Sequence, residues 1–376
     1  MRSLKELTQK TLEHIENKTL ELGDRIRTIS TESYLSITRY DSEVRYVIKK
    51  KPLPFCPSNR LKNRGDFFVS QLSGLSLLAI RGEDGQVRIF LNMCRHRGAR
   101  FVSEDSGSNC KKIVCPYHGW TYSDQGKLSP ISTELGLKSQ SENVLRLLEY
   151  PCHEFFGMIW VILDRGTDAD KLAVAFKFFE NDQDELGIAL EHALPEHSFI
   201  GKFNWKLGVE AFLEVYHFAY AHAPYLAQLS YPNLSLSDNF DENVRTIVPL
   251  KKPNENAEVL SWAQLMYFIF PSTFLLYYND HAALISLTPV SIQETRVSYI
   301  PLVPQKALED LRDIEKKVDF LKVIISQDVT VLENVQLGLG SPENSQFIFT
   351  RLESQLPLFH HNIEKALGSK VDLKYK

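Results

Sequence analysis

Two short stretches each set one cysteine beside one histidine: Cys94 and His96 in NMCRHRGAR, then Cys115 and His118 in CPYHGW, with eighteen residues between His96 and Cys115. Gly98, Pro116 and Gly119 place both pairs in loops at strand ends, where two short segments converge on one metal site. Two soft thiolates with two imidazoles suit either zinc or an iron–sulfur cluster. Structural zinc sites more often pair like with like, as in Cys-x2-Cys and His-x3-His. Here each loop supplies one ligand of each type. A cluster with cysteines on one iron and histidines on the other needs that arrangement.

A second set lies in FNWKLGVEAFLEVYHFAYAH (203–222), whose apolar residues recur at three- and four-residue steps and predict one helix. At about 100° per residue, Glu210, Glu214 and His217 fall within about 60° of one another. Pro224 disfavours helical geometry at Ala223, so a bend there swings His222 back toward His217. Two histidines and a carboxylate with open positions form the facial triad of mononuclear non-haem iron. The bland alternative is a helix with two core histidines and solvated acids. A di-iron carboxylate site would need a second Glu-x-x-His copy, and only His217 has a glutamate three residues before it.

The elements that must carry these residues change texture along the chain. Residues 3–22 read as an amphipathic helix. From about 45 to 165, short runs rich in Val, Ile, Phe, Tyr and Trp alternate with turns, including the Asp84-Gly85 hairpin turn, and predict a small antiparallel β domain. Residues 263–303 read as a strand meander and 306–339 as a long amphipathic helix, so the second domain is α+β. We expect 1–40 to be a helical segment packing on the second domain, 41–165 the β domain and 166–376 the second domain.

Composition limits the partners. The 376 residues are 43% hydrophobic and 24% charged, with net charge −4, which gives no basis for nucleic-acid or membrane binding. The greasiest stretch, 262–278, is broken by Gln264, Pro271, Ser272 and Thr273 and is too short to span a bilayer. The N-terminus lacks the apolar core of a secretion signal and is too acidic for a transit peptide, so a cytoplasmic location is expected. Five cysteines, an odd number in a long chain, match a disulfide scaffold poorly.

CRHRG and CPYHGW, with Tyr122 following, resemble the two ligand boxes of Rieske 2Fe–2S proteins. NWKLGVEAFLEVYHFAYAH resembles the iron box of Rieske-type non-haem iron oxygenase α subunits. The resemblance runs over nearly the whole chain. It implies a small Rieske domain on a helix-grip catalytic domain, with Cys94, His96, Cys115 and His118 holding a 2Fe–2S cluster. His217, His222 and, in SQDVTVLENVQLGLGS, Asp328 would hold mononuclear iron, while Cys56, Cys110 and Cys152 stay structural. Glu214 stands where ring-hydroxylating members usually carry Asp, a residue that links the two centres across subunits of a homotrimer. Glu there is associated with the branch acting on choline, betaine and carnitine-like amines.

Neither a Gly-x-Gly-x-x-Gly nor a Gly-x4-Gly-Lys-Ser/Thr box is present, so electrons are expected from a separate NAD(P)H-dependent reductase, with or without a ferredoxin. The expected activity is dioxygen-dependent hydroxylation or demethylation of a small molecule. A methylated amine is the first reading, with Phe212, Tyr216, Tyr220, Trp262, Tyr267, Phe274 and Tyr277 available for a cation–π cage. Aromatic-ring hydroxylation is the second. A non-catalytic electron carrier or zinc-binding protein is the remote third.

Overall fold

A computed structural model describes residues 2–103, 105–130, 142–168, 170–186, 190, 192–251 and 258–368. The chain forms two compact units: Lys49–Lys177, and a larger one made of Met1–Ile48 with Phe178–Lys376. The smaller unit is therefore an excursion from the larger.

Among the described residues of Lys49–Lys177 all strand pairing is antiparallel. One sheet runs in the order Ser106–Gly107, Phe67–Leu72, Leu75–Arg81, Val87–Leu91, Glu149–Tyr150. A second has Met158–Val161 between Cys152–Phe155 and Leu53–Pro57. A two-stranded ribbon joins Ile113–Val114 to Thr121–Tyr122. Leu78, Ile80, Phe90, Ile113 and Tyr122 form a core into which Cys94 and Cys115 are also packed. The hairpin after Leu75–Arg81 turns at Gly85 with φ 79°, as an Asp-Gly pair favours.

The larger unit is built on an eight-stranded antiparallel sheet. From one edge it runs Leu236–Phe240, Asn243–Pro249, Ala263–Ile269, Thr273–Tyr277, Ala282–Ser291, Glu294–Val303. The last of these pairs in turn with His192–Ala193 and His197–Gly201. The long helix Arg312–Leu339 and the helices Trp205–Phe212 and Gln355–Leu367 accompany it. At Gly208 a Cβ would lie 3.0 Å from the Phe203 ring and 3.2 Å from Leu287, so the glycine lets the Trp205–Phe212 helix sit close to the strand Ala282–Ser291 without shifting those side chains.

Buried charges brace the unit. Glu43 accepts from Arg39 Nε (2.7 Å), Trp205 Nε1 (3.2 Å) and Lys206 Nζ. Arg245 makes two bonds to Asp182, at 2.7 and 2.6 Å. Among the described residues no helix is long and apolar enough to cross a membrane.

One expectation needs correction. The segment 203–222 is not a single helix. It is helical over Trp205–Phe212, turns through 213–217, and resumes as the short helix Phe218–Ala221. The Glu214 carboxylate accepts the backbone N–H groups of Tyr216 and His217. A continuing helix would have given those groups to the carbonyls of Phe212 and Leu213. A side chain that competes for backbone donors ends the helix at Phe212, eleven residues before the bend expected at Ala223.

Candidate metal centres and the cavity beside one of them

In the smaller unit the two ligand loops are built alike. Cys94 N–H donates to Ala99 O (2.8 Å) and Gly98 N–H to Cys94 O (3.0 Å). Cys115 N–H donates to Trp120 O (2.8 Å) and Gly119 N–H to Cys115 O (3.0 Å). Both loops close on a glycine with positive φ, 78° at Gly98 and 70° at Gly119. Buried Asn92 pins the first loop, donating to Val102 O (2.9 Å) and accepting from Phe101 N (3.0 Å).

The two cysteines are buried and the two histidines exposed. Cys94 and Cys115 are near neighbours, and the backbone N–H of His96 lies beside the Cys94 sulfur. Tyr122 Oη lies 3.7 Å from that sulfur. Burial raises the Cys94 thiol above its ordinary pKa, against the pull of those two donors. His96 and His118 sit with ring centroids 4.7 Å apart, and Trp120 stacks on His96 at 4.8 Å and 5°. A buried pair of sulfurs on one side and an exposed pair of imidazoles on the other is a donor set that fits an asymmetric cluster.

In the larger unit His217, His222 and Asp328 converge, with one ligand atom of each within 4.8 Å of the others. Asp328 Oδ1 lies 3.5 Å from His217 Nε2 and 2.9 Å from His222 Nε2. The far nitrogens are occupied: His217 Nδ1 meets the Glu214 carboxylate, and His222 Nδ1 lies 2.8 Å from Gln327 Oε1. Those acceptors put the hydrogens on Nδ1, so both Nε2 lone pairs face Asp328. His222 Nε2 is buried without a hydrogen bond, since with the hydrogen on Nδ1 it and the Asp328 oxygen 2.9 Å away are both acceptors. A buried acceptor with no donor is costly in itself, and a cation among these atoms would satisfy it. The residues fit the ion. Burial disfavours a charged His217, but the Glu214 and Asp328 carboxylates raise its pKa on balance.

The ligand-bearing elements are tied together. Asn204 caps the Trp205–Phe212 helix through Lys206 N (3.1 Å), and its own N–H reaches Gln336 Oε1 (2.8 Å), two turns beyond Asp328 on the long helix. Lys202 N–H reaches Glu333 (3.0 Å) on the same helix.

Glu210 does not share a face with Glu214 and His217. It accepts from Tyr34 Oη (2.6 Å) and meets His360 Nε2 (2.8 Å) in the core. The reason is the turn at 213–217, which breaks the helical phase on which that expectation rested.

A cavity of about 280 Å³ opens beside the three residues. Its apolar wall includes Phe212, Val215, Met266, Leu276, Phe320 and Ile324. Most of the expected aromatic cage is absent from it. Tyr220 is 84% and Tyr216 40% exposed, while Trp262, Tyr267, Phe274 and Tyr277 are buried elsewhere in the core. For Tyr267 and Tyr277 the cause is strand alternation. Gln264 and Met266 face the cavity, so Tyr267 faces away, and Leu276 and Tyr278 face it, so Tyr277 does not. Gln327 and Asn92 were missed because an amide carries no sequence signature of the histidine or loop it holds.

Residues 51–139 match the model of the Rieske [2Fe-2S] domain, and 188–369 that of the ring hydroxylating alpha subunit catalytic domain. The chain belongs to the Rieske-type non-haem iron oxygenase α subunits, and it pairs a 2Fe–2S domain with a catalytic domain of the kind that binds non-haem iron. It is 23% identical to chloroplastic choline monooxygenase of Beta vulgaris over 76% of this chain and 64% of that one. It is 32% identical to the large oxygenase component of the naphthalene 1,2-dioxygenase system of Pseudomonas fluorescens, over 58% and 45%. With the carnitine monooxygenase oxygenase subunit of Escherichia coli it shares 24% identity over 84% of both. The match thus spans about two thirds or less of the first two curated relatives. The quaternary ammonium Rieske monooxygenase CntA, solved with its substrate L-carnitine, superposes with TM-score 0.75 over 98% of this chain and 100% of that one, at 17% identity, which shows the shared fold.

Proposed function

We propose that the chain is the terminal oxygenase component of a Rieske system, hydroxylating or demethylating a small organic substrate with dioxygen. One observation carries this reading: two histidine Nε2 atoms and one carboxylate oxygen gathered at the wall of an apolar cavity. When bound, a Rieske cluster passes electrons singly and a ferrous ion with open positions activates dioxygen. Cys94, His96, Cys115 and His118 would hold the cluster, and His217, His222 and Asp328 the iron. Gln327 and Glu214 keep each imidazole turned so that Nε2 meets the ion. The apolar wall keeps bulk water from the reacting carbon.

Glu214 is further assigned the link between one subunit's cluster and its neighbour's iron in a homotrimer. Electrons come from a separate reductase, directly or through a ferredoxin, and the assembly works in the cytoplasm. For substrate, a methylated amine is the first reading, supported by Glu214 in place of Asp and by similarity to the choline and carnitine monooxygenases. Aromatic hydroxylation is supported instead by the cavity wall, which Phe212, Phe218 and Phe320 line.

Asp328→Ala tests the iron assignment. The variant is expected to lose mononuclear iron, counted per chain, while keeping the visible absorption of the cluster. Full iron retention would remove Asp328 from the ligand set.

A further inference from the structure

Building on the oxygenase reading, we propose that the far end of the 280 Å³ cavity selects substrates bearing an anionic group, with Lys317 supplying the charge and Gln264, Tyr278 and Asn279 the hydrogen-bonding rim. Lys317 and Asp328 both line the cavity and both sit on Arg312–Leu339. Eleven residues is close to three full turns, so the two share a face, roughly 16 Å apart along the axis. Between them that face presents Phe320, Leu321 and Ile324 to the cavity.

Polar groups therefore sit at two separated ends. Glu214, His217, His222 and Asp328 make one, and they are engaged with each other. At the other, Gln264, the second residue of the strand Ala263–Ile269, hydrogen-bonds Tyr278, just past the strand Thr273–Tyr277. Lys317 is the only lysine or arginine among the described lining residues.

Lys317 Nζ is held at this end by Asp280, next to Asn279 in the same turn. The pair is half-exposed, with side-chain exposures of 49% and 38%, and such pairs are weak. Asp280 has a second partner in His281 Nδ1 (2.7 Å), so it stays satisfied when Lys317 turns to an incoming anion. Leu260 and Asn279 also line a neighbouring cavity of about 750 Å³. The substrate class that fits is a small organic acid: an apolar or methylated body at the iron and a carboxylate at Lys317.

The test is anaerobic calorimetry on the holo protein, after the cluster spectrum and iron content are verified, so that failure of the oxygenase reading is seen first. The probes are hexanoate and 3-phenylpropionate, their primary amides, and hexyltrimethylammonium. We expect each acid to bind about tenfold tighter than its amide. Lys317→Gln should erase that preference and Lys317→Arg restore it, with cluster absorption and thermal midpoint unchanged in both. Equal binding of acid and amide, no binding of either acid, a preference for the cation, or an intact preference in Lys317→Gln would each overturn the proposal.

Discussion

At the scale of single residues, the groups that hold ligands are held in turn by neighbours with no motif of their own. Gln327 fixes His222 through Nδ1 at 2.8 Å. Partners of this kind are worth about 10–100-fold in metal affinity. Gln327→Leu should lower iron affinity by that amount with cluster absorption unchanged, measured by titrating ferrous ion into iron-free protein. Affinity equal to the parent would show that His222 holds its orientation without help. A second residue sets part of the acid sensitivity. Burial lowers the pKa of His281 despite Asp280 beside it, with Lys317 opposing protonation and Tyr278 stacked on the ring. Its folded pKa lies below the unfolded value of about 6.5. Below that pH the unfolded state takes up the proton first, so stability present at neutral pH falls as the solution is acidified. His281→Phe should flatten part of that decline in thermal midpoint. An unaltered slope would assign the decline to other groups.

At the scale of elements, the sequence is most readable where a local rule agrees with the packing. The β runs from Phe67 to Leu91 are rich in Val, Ile, Leu and Phe, turn on Asp-Gly and form the expected hairpin. The long helix shows its charged and aliphatic faces and runs over Arg312–Leu339. Where a side chain overrides the pattern, periodicity misleads: 203–222 keeps helical spacing across a break that the Glu214 carboxylate makes. The aromatic residues misled differently, because which face of a strand meets the cavity depends on the sheet's neighbours rather than on the strand itself. The strands Leu236–Phe240 and Asn243–Pro249 escaped notice because they mix polar with apolar residues. Packing between elements yields a prediction at Gly208. Gly208→Val places methyls where Phe203 and Leu287 already sit, and overpacking costs about 1–3 kcal/mol. Urea unfolding would read the loss, and a midpoint at or above the parent's would mean that the ring gives way freely.

At the scale of the whole molecule, the larger unit is assembled from both ends of the chain. Tyr34 and Glu43, from the first fifty residues, bond to Glu210 and Lys206. The smaller unit has its own core, with Cys94 and Cys115 inside it. Loss of a bound metal group lowers the stability of the part that holds it. Stripping the cluster with a chelator should therefore speed hydrogen exchange in 49–177 and leave the eight-stranded sheet protected. A uniform rise would mean the chain opens as one cooperative block. The long helix also decides where this molecule can change length in its descendants. Gln336 anchors it to Asn204, and Asp328 stands two turns earlier. One residue inserted between them would swing the carboxylate by about 100° and shift it by about 1.5 Å, off the two imidazoles. Lineages of this protein are free to lengthen surface loops, but this stretch of helix is a fixed-length part, open to substitution on its outer face and closed to insertion.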